Sequence, residues 1–286
     1  MVKGLWVLEI GEFGWQLMNG QARARYVART GGYDHVVVCT TPTAFDLYRD
    51  FAHEFITHDY PGEPLCQHRR INRSSPRICT SWFKLYGCKE YEPYKAKGYD
   101  VLFPPEEKPD VRTTSKEQDF IKFGKFNQDL AYDMVFHVRT RAHTGSNNWA
   151  TPNWVALAER LLAHKLKMAT VGLIEGSGSL PGVEDKRGVP LHLTMDIMAS
   201  SKLVVGSSSG PICLASLCGT PHLVWYGGKR YVGATMGDRF KTLWNPLNTR
   251  CWPLSLGWQP SVDNVYQHIM LAWKEVQDAK KSTACS

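Results

Sequence analysis

Short apolar runs alternate with amphipathic stretches along this chain, and that rhythm predicts most of its elements. Leu-Trp-Val-Leu-Glu-Ile predicts a first strand at 5–10, closed by the turn Gly11-Glu12-Phe13-Gly14. A helix is predicted over 15–29, with Leu17, Met18, Ala22, Tyr26 and Val27 on its apolar face and Arg23, Arg25 and Arg29 elsewhere. Gly31-Gly32 stops it. Strands follow at 35–39 and 55–58, with a helix predicted between them from Thr41-Pro42 to about 51. The pattern is hard to read from 61 to about 133, where a basic run, an aromatic-rich stretch and a polar, linker-like segment at 104–119 succeed one another. It resumes with a strand at 134–138 and a helix over 152–165, for which Thr151 is the expected N-cap. A strand at 168–174 and a short helix at 193–200 come next. An amphipathic helix over 262–280 closes the chain, its stripe of Val262, Val265, Tyr266, Ile269, Met270, Trp273 and Val276 being core.

The best-defined stretch lies between these pieces. Leu203 to Val205 predicts a strand buried on both faces, and Gly206-Ser207-Ser208-Ser209-Gly210 a tight turn. A helix starts near Pro211 and stops at Gly219, leading into a strand at 222–226. Such a turn presents free backbone N–H groups and the positive end of a helix dipole to an anion, and Ser208 and Ser209 add hydroxyl donors. The same small residues also suit an ordinary strand-to-helix turn. The motif is neither Gly-x-Gly-x-x-Gly nor a Walker sequence.

Strand–helix alternation in both halves predicts an α/β protein with parallel, doubly wound sheets. A chain of 286 residues can form one large or two medium domains, and the rhythm that restarts at about 134 divides it into 1–130 and 131–286. The net charge of +7 favours a polyanionic ligand or an anionic surface. Eight scattered cysteines without a Cys-x-x-Cys pair argue for reduced thiols and against a zinc site or disulfide framework. With no signal-peptide pattern and no membrane-length apolar run, a cytoplasmic protein is expected. An NAD-type oxidoreductase is disfavoured, because the first strand leads into no Gly-x-Gly-x-x-Gly.

Three segments resemble the heptosyltransferase-like family of GT-B glycosyltransferases. His137-Val138-Arg139-Thr140-Arg141, with Trp149 and Trp154 shortly after, is similar to that family's His-x-x-Thr-Arg segment and paired tryptophans. Gly172-Leu173-Ile174-Glu175 lies where the family places an acidic residue near the donor ribose. Val205 to Pro211, with Leu214-Ala215 and Gly219-Thr220-Pro221, resembles the family's Gly-x-Asp-[Ser/Thr]-Gly-x-x-x-Leu-Ala-x-x-x-Gly-x-Pro signature. The resemblance implies two Rossmann-like domains facing a cleft and a nucleotide-sugar donor held by the second half. Ser207, Ser208, Ser209 and Gly210 would hold the diphosphate, and Glu175 the ribose hydroxyls. Arg139 and Arg141 would neutralise the leaving nucleoside diphosphate, so that no metal is required. His137, inside an apolar run, reads as a satisfied core histidine. Ser208 stands where the family has aspartate, and Asn148 rather than a basic residue precedes Trp149. The heptose donor is therefore not implied; a UDP-sugar is one candidate.

The same resemblance assigns the acceptor and the catalytic base to the first half. Glu12, after the first strand and between Gly11 and Gly14, is the candidate base for an inverting transfer, with Asp59 and His58 in reserve. A carboxylate there also suits a simple helix-dipole partner. Arg69, Arg70, Arg73 and Arg77, with Trp82, Phe83, Tyr86, Tyr91, Tyr94 and Tyr99 beyond them, have the composition of a nucleic-acid groove. The Gly-Glu-x-Gly-Trp opening is similar to that of phage-type enzymes that glycosylate hydroxymethylated pyrimidines, making duplex DNA a candidate partner. A cell-envelope glycolipid, a basic surface over an aromatic core, and a non-catalytic nucleotide or nucleic-acid binder of the same fold remain alternatives.

Overall fold

Valine-rich and leucine-rich runs without polar alternation bury both faces of a strand, and here they form two parallel sheets. The computed structural model describes residues 2–9, 13–57, 89–102, 117–142, 145–228 and 235–284. The chain divides into two compact units, Met1–Phe120 and Ile121–Ser286.

In the first unit, β1 (Gly4–Leu8) leads into α1 (Phe13–Trp15), a π-helical turn Gln16–Gly20 and α2 (Gln21–Thr30). Strands β2 (His35–Cys39) and β3 (Glu54–Ile56), the short helix α3 (Glu92–Lys95) and β4 (Asp100–Leu102) complete the unit, in the parallel order β3-β2-β1-β4. The helix predicted after Thr41 is instead a 3-10 segment, Pro42–Leu47, closed by i→i+3 bonds such as Phe45 O to Tyr48 N at 3.0 Å. Arg25 does not lie on a solvated face. It is fully buried, bonding Asp50 through Nε (2.7 Å) and Nη2 (2.9 Å) and donating to the carbonyls of Leu47 and Asp119.

Of the aromatic stretch, the part within the described residues matches the alternative of an aromatic core. Tyr91, Tyr94 and Tyr99 pack against the core of Trp6, Leu8, Val37 and Cys39, with Tyr91 4.9 Å from Trp6 between ring centroids. The Tyr94 hydroxyl donates to Glu54, and the Tyr99 hydroxyl lies 3.1 Å from His35 Nδ1. These three half-buried rings pack on the core. Trp82, Phe83, Tyr86, the four arginines at 69, 70, 73 and 77, residues 104–116 of the linker-like segment, and Glu12, His58 and Asp59 all lie outside the described residues.

The second unit comprises β5 (Met134–His137), α4 (Thr151–Leu162), β6 (Met168–Thr170), β7 (Glu184–Asp185), α5 (Leu191–Ser200), β8 (Leu203–Ser207), α6 (Gly210–Leu217), β9 (His222–Trp225), α7 (Met236–Lys241), β10 (Cys251–Leu254) and α8 (Val262–Ala284). Its six strands run parallel in the order β10-β9-β8-β5-β6-β7. Residues 121–130, which the sequence pattern groups with the first half, belong here. Phe123 N donates to Leu217 O, Lys125 N to Asp196, and Asn127 N to Ser200 Oγ. Thr151 is the first helical residue rather than the cap; Ala150 occupies the N-cap and makes no side-chain bond. Trp149, Trp154 and Trp225 form a buried triangle with centroids 5.0–5.2 Å apart, and Trp149 Nε1 donates to Pro260 O at 2.8 Å.

Candidate functional site

The order β10-β9-β8-β5-β6-β7 reverses its direction of growth between β5 and β8, and open α/β sheets bind ligands beyond the carboxyl ends of the strands at such a point. His137 is the last residue of β5, and Ser207 the last of β8. The turn Ser207 to Gly210 and the N-terminus of α6 therefore sit at the switch point. Gly206 makes this approach possible: a Cβ there would lie 2.7 Å from Ile212 Cδ1 and 3.1 Å from the His137 carbonyl.

The chemistry of the turn comes from its hydroxyls. Ser209 is the N-cap of α6 but makes no capping bond; its Oγ lies 3.0 Å from His137 Nδ1. The Ser207 Oγ is fully buried and has no hydrogen-bond partner among the described residues. Ser208 and Gly210 are half-buried, and Ser208 N donates to Trp225 O at 2.9 Å. His137 is buried, as its run predicts, and its imidazole is held at about 3, first by burial and then by the charges of Arg139 and Arg141. It is a neutral side chain at physiological pH.

Arg139 and Arg141 leave β5 on the same edge. Arg139 is buried, with Nη1 donating to Asn148 Oδ1 at 2.8 Å, while Asn148 Nδ2 donates to the Arg141 carbonyl at 2.8 Å. Asn148, a departure from the family pattern, thus clasps the arginine loop from both sides. The loop after β6 closes over this segment through Gly176 O to Thr140 N (3.1 Å) and Val138 O to Gly178 N (2.8 Å). Gly172, at φ +132°, gives it the required bend, because a Cβ would meet Ser177 Oγ at 2.6 Å. Arg187 Nη1 ties the loop to β7 by donating to Ser177 O at 2.6 Å.

Glu175 is exposed on this loop, beside Leu173 and Ile174, which are 57% and 62% exposed. That apolar pair next to a carboxylate is masked in the sequence, where 168–174 reads as one strand; β6 ends at Thr170. The structure thus brings His137, Arg139, Arg141, Glu175 and the serine turn to one edge of one sheet. Among the described residues, no group of three or more His, Cys, Asp or Glu side chains is placed to hold a metal ion.

Solved structures share the fold along most or nearly all of the chain. The E. coli ADP-heptose LPS heptosyltransferase II superposes with a TM-score of 0.60 at 13% identity, covering 98% of this chain and 99% of that one. This is the GT-B glycosyltransferase fold. E. coli heptosyltransferase WaaC with ADP aligns at a TM-score of 0.53 and 13% identity over 94% of this chain and 99% of that one. A glycosyl transferase of family 9 from Veillonella parvula DSM 2008 aligns at 0.53 and 11% identity over 88% and 85%. No protein-family model and no curated protein matches the sequence. In this GT-B chain, the switch point of the second sheet is where the charged and hydroxyl groups converge.

A second polar cluster occupies the carboxyl edge of the first sheet. Glu9, directly after β1, is 2% exposed, and one carboxylate oxygen, Oε2, has no hydrogen-bond partner among the described residues. Burial pushes its carboxyl up to about 8, with Arg23 opposing. Beside the end of β2, the Thr40 and Tyr48 hydroxyls both donate to Gln16 Oε1, at 3.0 and 3.1 Å. In the sequence, Glu9 reads only as one residue of a strand.

Proposed function

We propose that this protein transfers a sugar from a nucleotide-sugar donor to an acceptor hydroxyl. The observation that carries the reading is the convergence, at the switch point of the second sheet, of the uncapped N-terminus of α6, the Ser207–Gly210 turn and the Arg139–Arg141 loop. First-turn N–H groups and serine hydroxyls suit a diphosphate. Arg139 and Arg141 suit the charge that develops on a leaving nucleoside diphosphate, which assigns neutralisation to side chains rather than to a metal. In this reading Glu175 accepts from the ribose hydroxyls, and exposed Leu173 and Ile174 offer an apolar face to the base.

The acceptor and the base belong to the first unit in this reading. A carboxylate after β1, Glu12, takes the proton of the acceptor hydroxyl as its oxygen attacks the anomeric carbon. The bond from that carbon to the diphosphate oxygen breaks, and the sugar inverts. The acceptor proposed is a hydroxymethylated pyrimidine of DNA, resting on the basic run of Arg69, Arg70, Arg73 and Arg77. Incubation with a panel of nucleotide sugars, following release of nucleoside diphosphate with and without hydroxymethylated duplex DNA, tests both levels. Release with another acceptor, such as a glycolipid, keeps the transferase and removes DNA. No binding of any nucleotide sugar removes both.

A further inference from the structure

Ser209 breaks a local rule. Serine at an N-cap ordinarily turns its Oγ back onto the N–H of the second or third helical residue, satisfying a donor the helix cannot. Here the residue has the extended backbone of a cap (φ −164°, ψ 166°), yet it makes no such bond. Its Oγ is engaged instead by His137 Nδ1, 3.0 Å away on the neighbouring strand β5. Pro211, in the first turn of the helix, contributes no N–H. The consequence is that, among the described residues, the N–H groups opening α6 have no side-chain cap and the neighbouring buried hydroxyl of Ser207 has no partner.

We propose that His137 is the positioning residue of this turn: by engaging Ser209 Oγ it keeps the helix N-terminus uncapped and aims the serine hydroxyl at a diphosphate. The inference rests on the reading that the turn holds a nucleoside diphosphate. Its chemistry is a short relay. A neutral imidazole carries one N–H; with that hydrogen on Nδ1, the ring donates to Ser209 Oγ and frees the hydroxyl hydrogen for a phosphate oxygen. Burial and the neighbouring Arg139 and Arg141 keep the ring neutral, so it adds no charge of its own. The site around the ring is close-fitting: a Cβ on Gly172 would lie 3.0 Å from His137 Cδ2.

Calorimetric titration of the full chain with ADP, UDP and inorganic pyrophosphate tests the proposal. His137→Ala should weaken diphosphate binding roughly tenfold, the loss of one oriented hydrogen bond. Ser209→Ala should weaken it similarly, and the double variant no more than either, because one residue acts through the other. His137→Asn, whose amide nitrogen takes the place of Nδ1, should restore most of the affinity. A purely structural histidine would lower the melting temperature without this rescue and without this non-additivity. Equal affinity of wild type and a folded His137→Ala, or fully additive losses in the double variant, overturns the proposal alone. Failure of the wild type to bind any of the three ligands overturns the donor-site reading and the proposal with it.

Discussion

Gly20 lies so tightly against the Glu9 carboxylate that a Cβ on it would overlap the carboxyl group. The π-helical turn Gln16–Gly20 brings this glycine to the end of β1 and seals the acid from water. Desolvation raises the Glu9 carboxyl from 4.5 to about 8, more than Arg23 lowers it. A carboxyl that holds its proton more tightly when folded contributes stability that is fully present below 4.5 and lost as pH rises through about 8. Between those limits the loss amounts to at most about 5 kcal/mol. Urea denaturation at pH 5, 7 and 9 should show wild type weakening with pH more steeply than Glu9→Gln, whose amide never ionises. Parallel curves for the two proteins would show that Glu9 is not the group responsible.

Much of the fold is legible in the sequence because parallel strands buried on both faces are uninterrupted apolar runs: His35–Cys39 can be read to the residue, and Leu203–Ser207 nearly so. The elements that escape lack that signal. β10 carries Pro253 and lies at the edge of its sheet, where proline is tolerated, and β7 has only two residues. The strand pattern alone places the arginine loop and the serine turn on one sheet edge. It does not show what holds them, since the Asn148 clasp and the Ser209–His137 contact join residues 9 and 72 positions apart, with no periodicity between them. Arg25 misleads for a related reason: an arginine reads as solvated unless its partners, here Asp50 and two carbonyls, can be seen.

Arg25 should be one of the most sensitive positions of the first unit. Removing it leaves the carbonyls of Leu47 and Asp119 without this donor and Asp50 with the longer contact from Arg29 Nη2 at 3.2 Å, although Asp50 keeps 27% of its side chain exposed and can rehydrate. Arg25→Ala should therefore cost about 3 kcal/mol, the low end for breaking a buried ion pair. Arg25→Lys should recover little, because an ammonium cannot reach Asp50 and both carbonyls in one planar fork. Denaturant midpoints measure both. A loss below about 1 kcal/mol for Arg25→Ala would place the pair among ordinary surface bridges.

The arginine loop makes a prediction about metals. If Arg139 and Arg141 neutralise the leaving diphosphate, transfer should persist in excess EDTA. Arg141→Ala should cut kcat by about a hundredfold, as loss of one charge-stabilising donor does. Arg139→Ala should do the same and also loosen the loop, since Asn148 loses its bond. Its melting temperature should fall more than that of Arg141→Ala. Steady-state kinetics and thermal melts separate the two effects. A strict requirement for Mg²⁺ or Mn²⁺ would transfer the role from the arginines to an ion.

The basic run is where the DNA reading stands or falls. With three of the neighbouring tyrosines packed against the core, the DNA reading rests on phosphate contacts. If Arg69, Arg70, Arg73 and Arg77 each neutralise one phosphate, each adds a counterion-release contribution, so log affinity should fall with log salt by about 0.9 per contact. Replacing one arginine by alanine should flatten the slope by about one unit and weaken binding equally across sequences. Nucleotide-sugar affinity should not change, because the proposed donor groups all lie on the second sheet. Glu12→Gln should bind both ligands and transfer nothing, since an amide cannot take the hydroxyl proton. Fluorescence anisotropy with hydroxymethylated duplexes across a salt series reads the slope directly. A flat slope, or a four-alanine variant that glycosylates DNA at the wild-type rate, would exclude the basic run from acceptor binding. Undetectable binding at low salt would exclude DNA itself and leave the search for the acceptor to other hydroxyl-bearing polyanions.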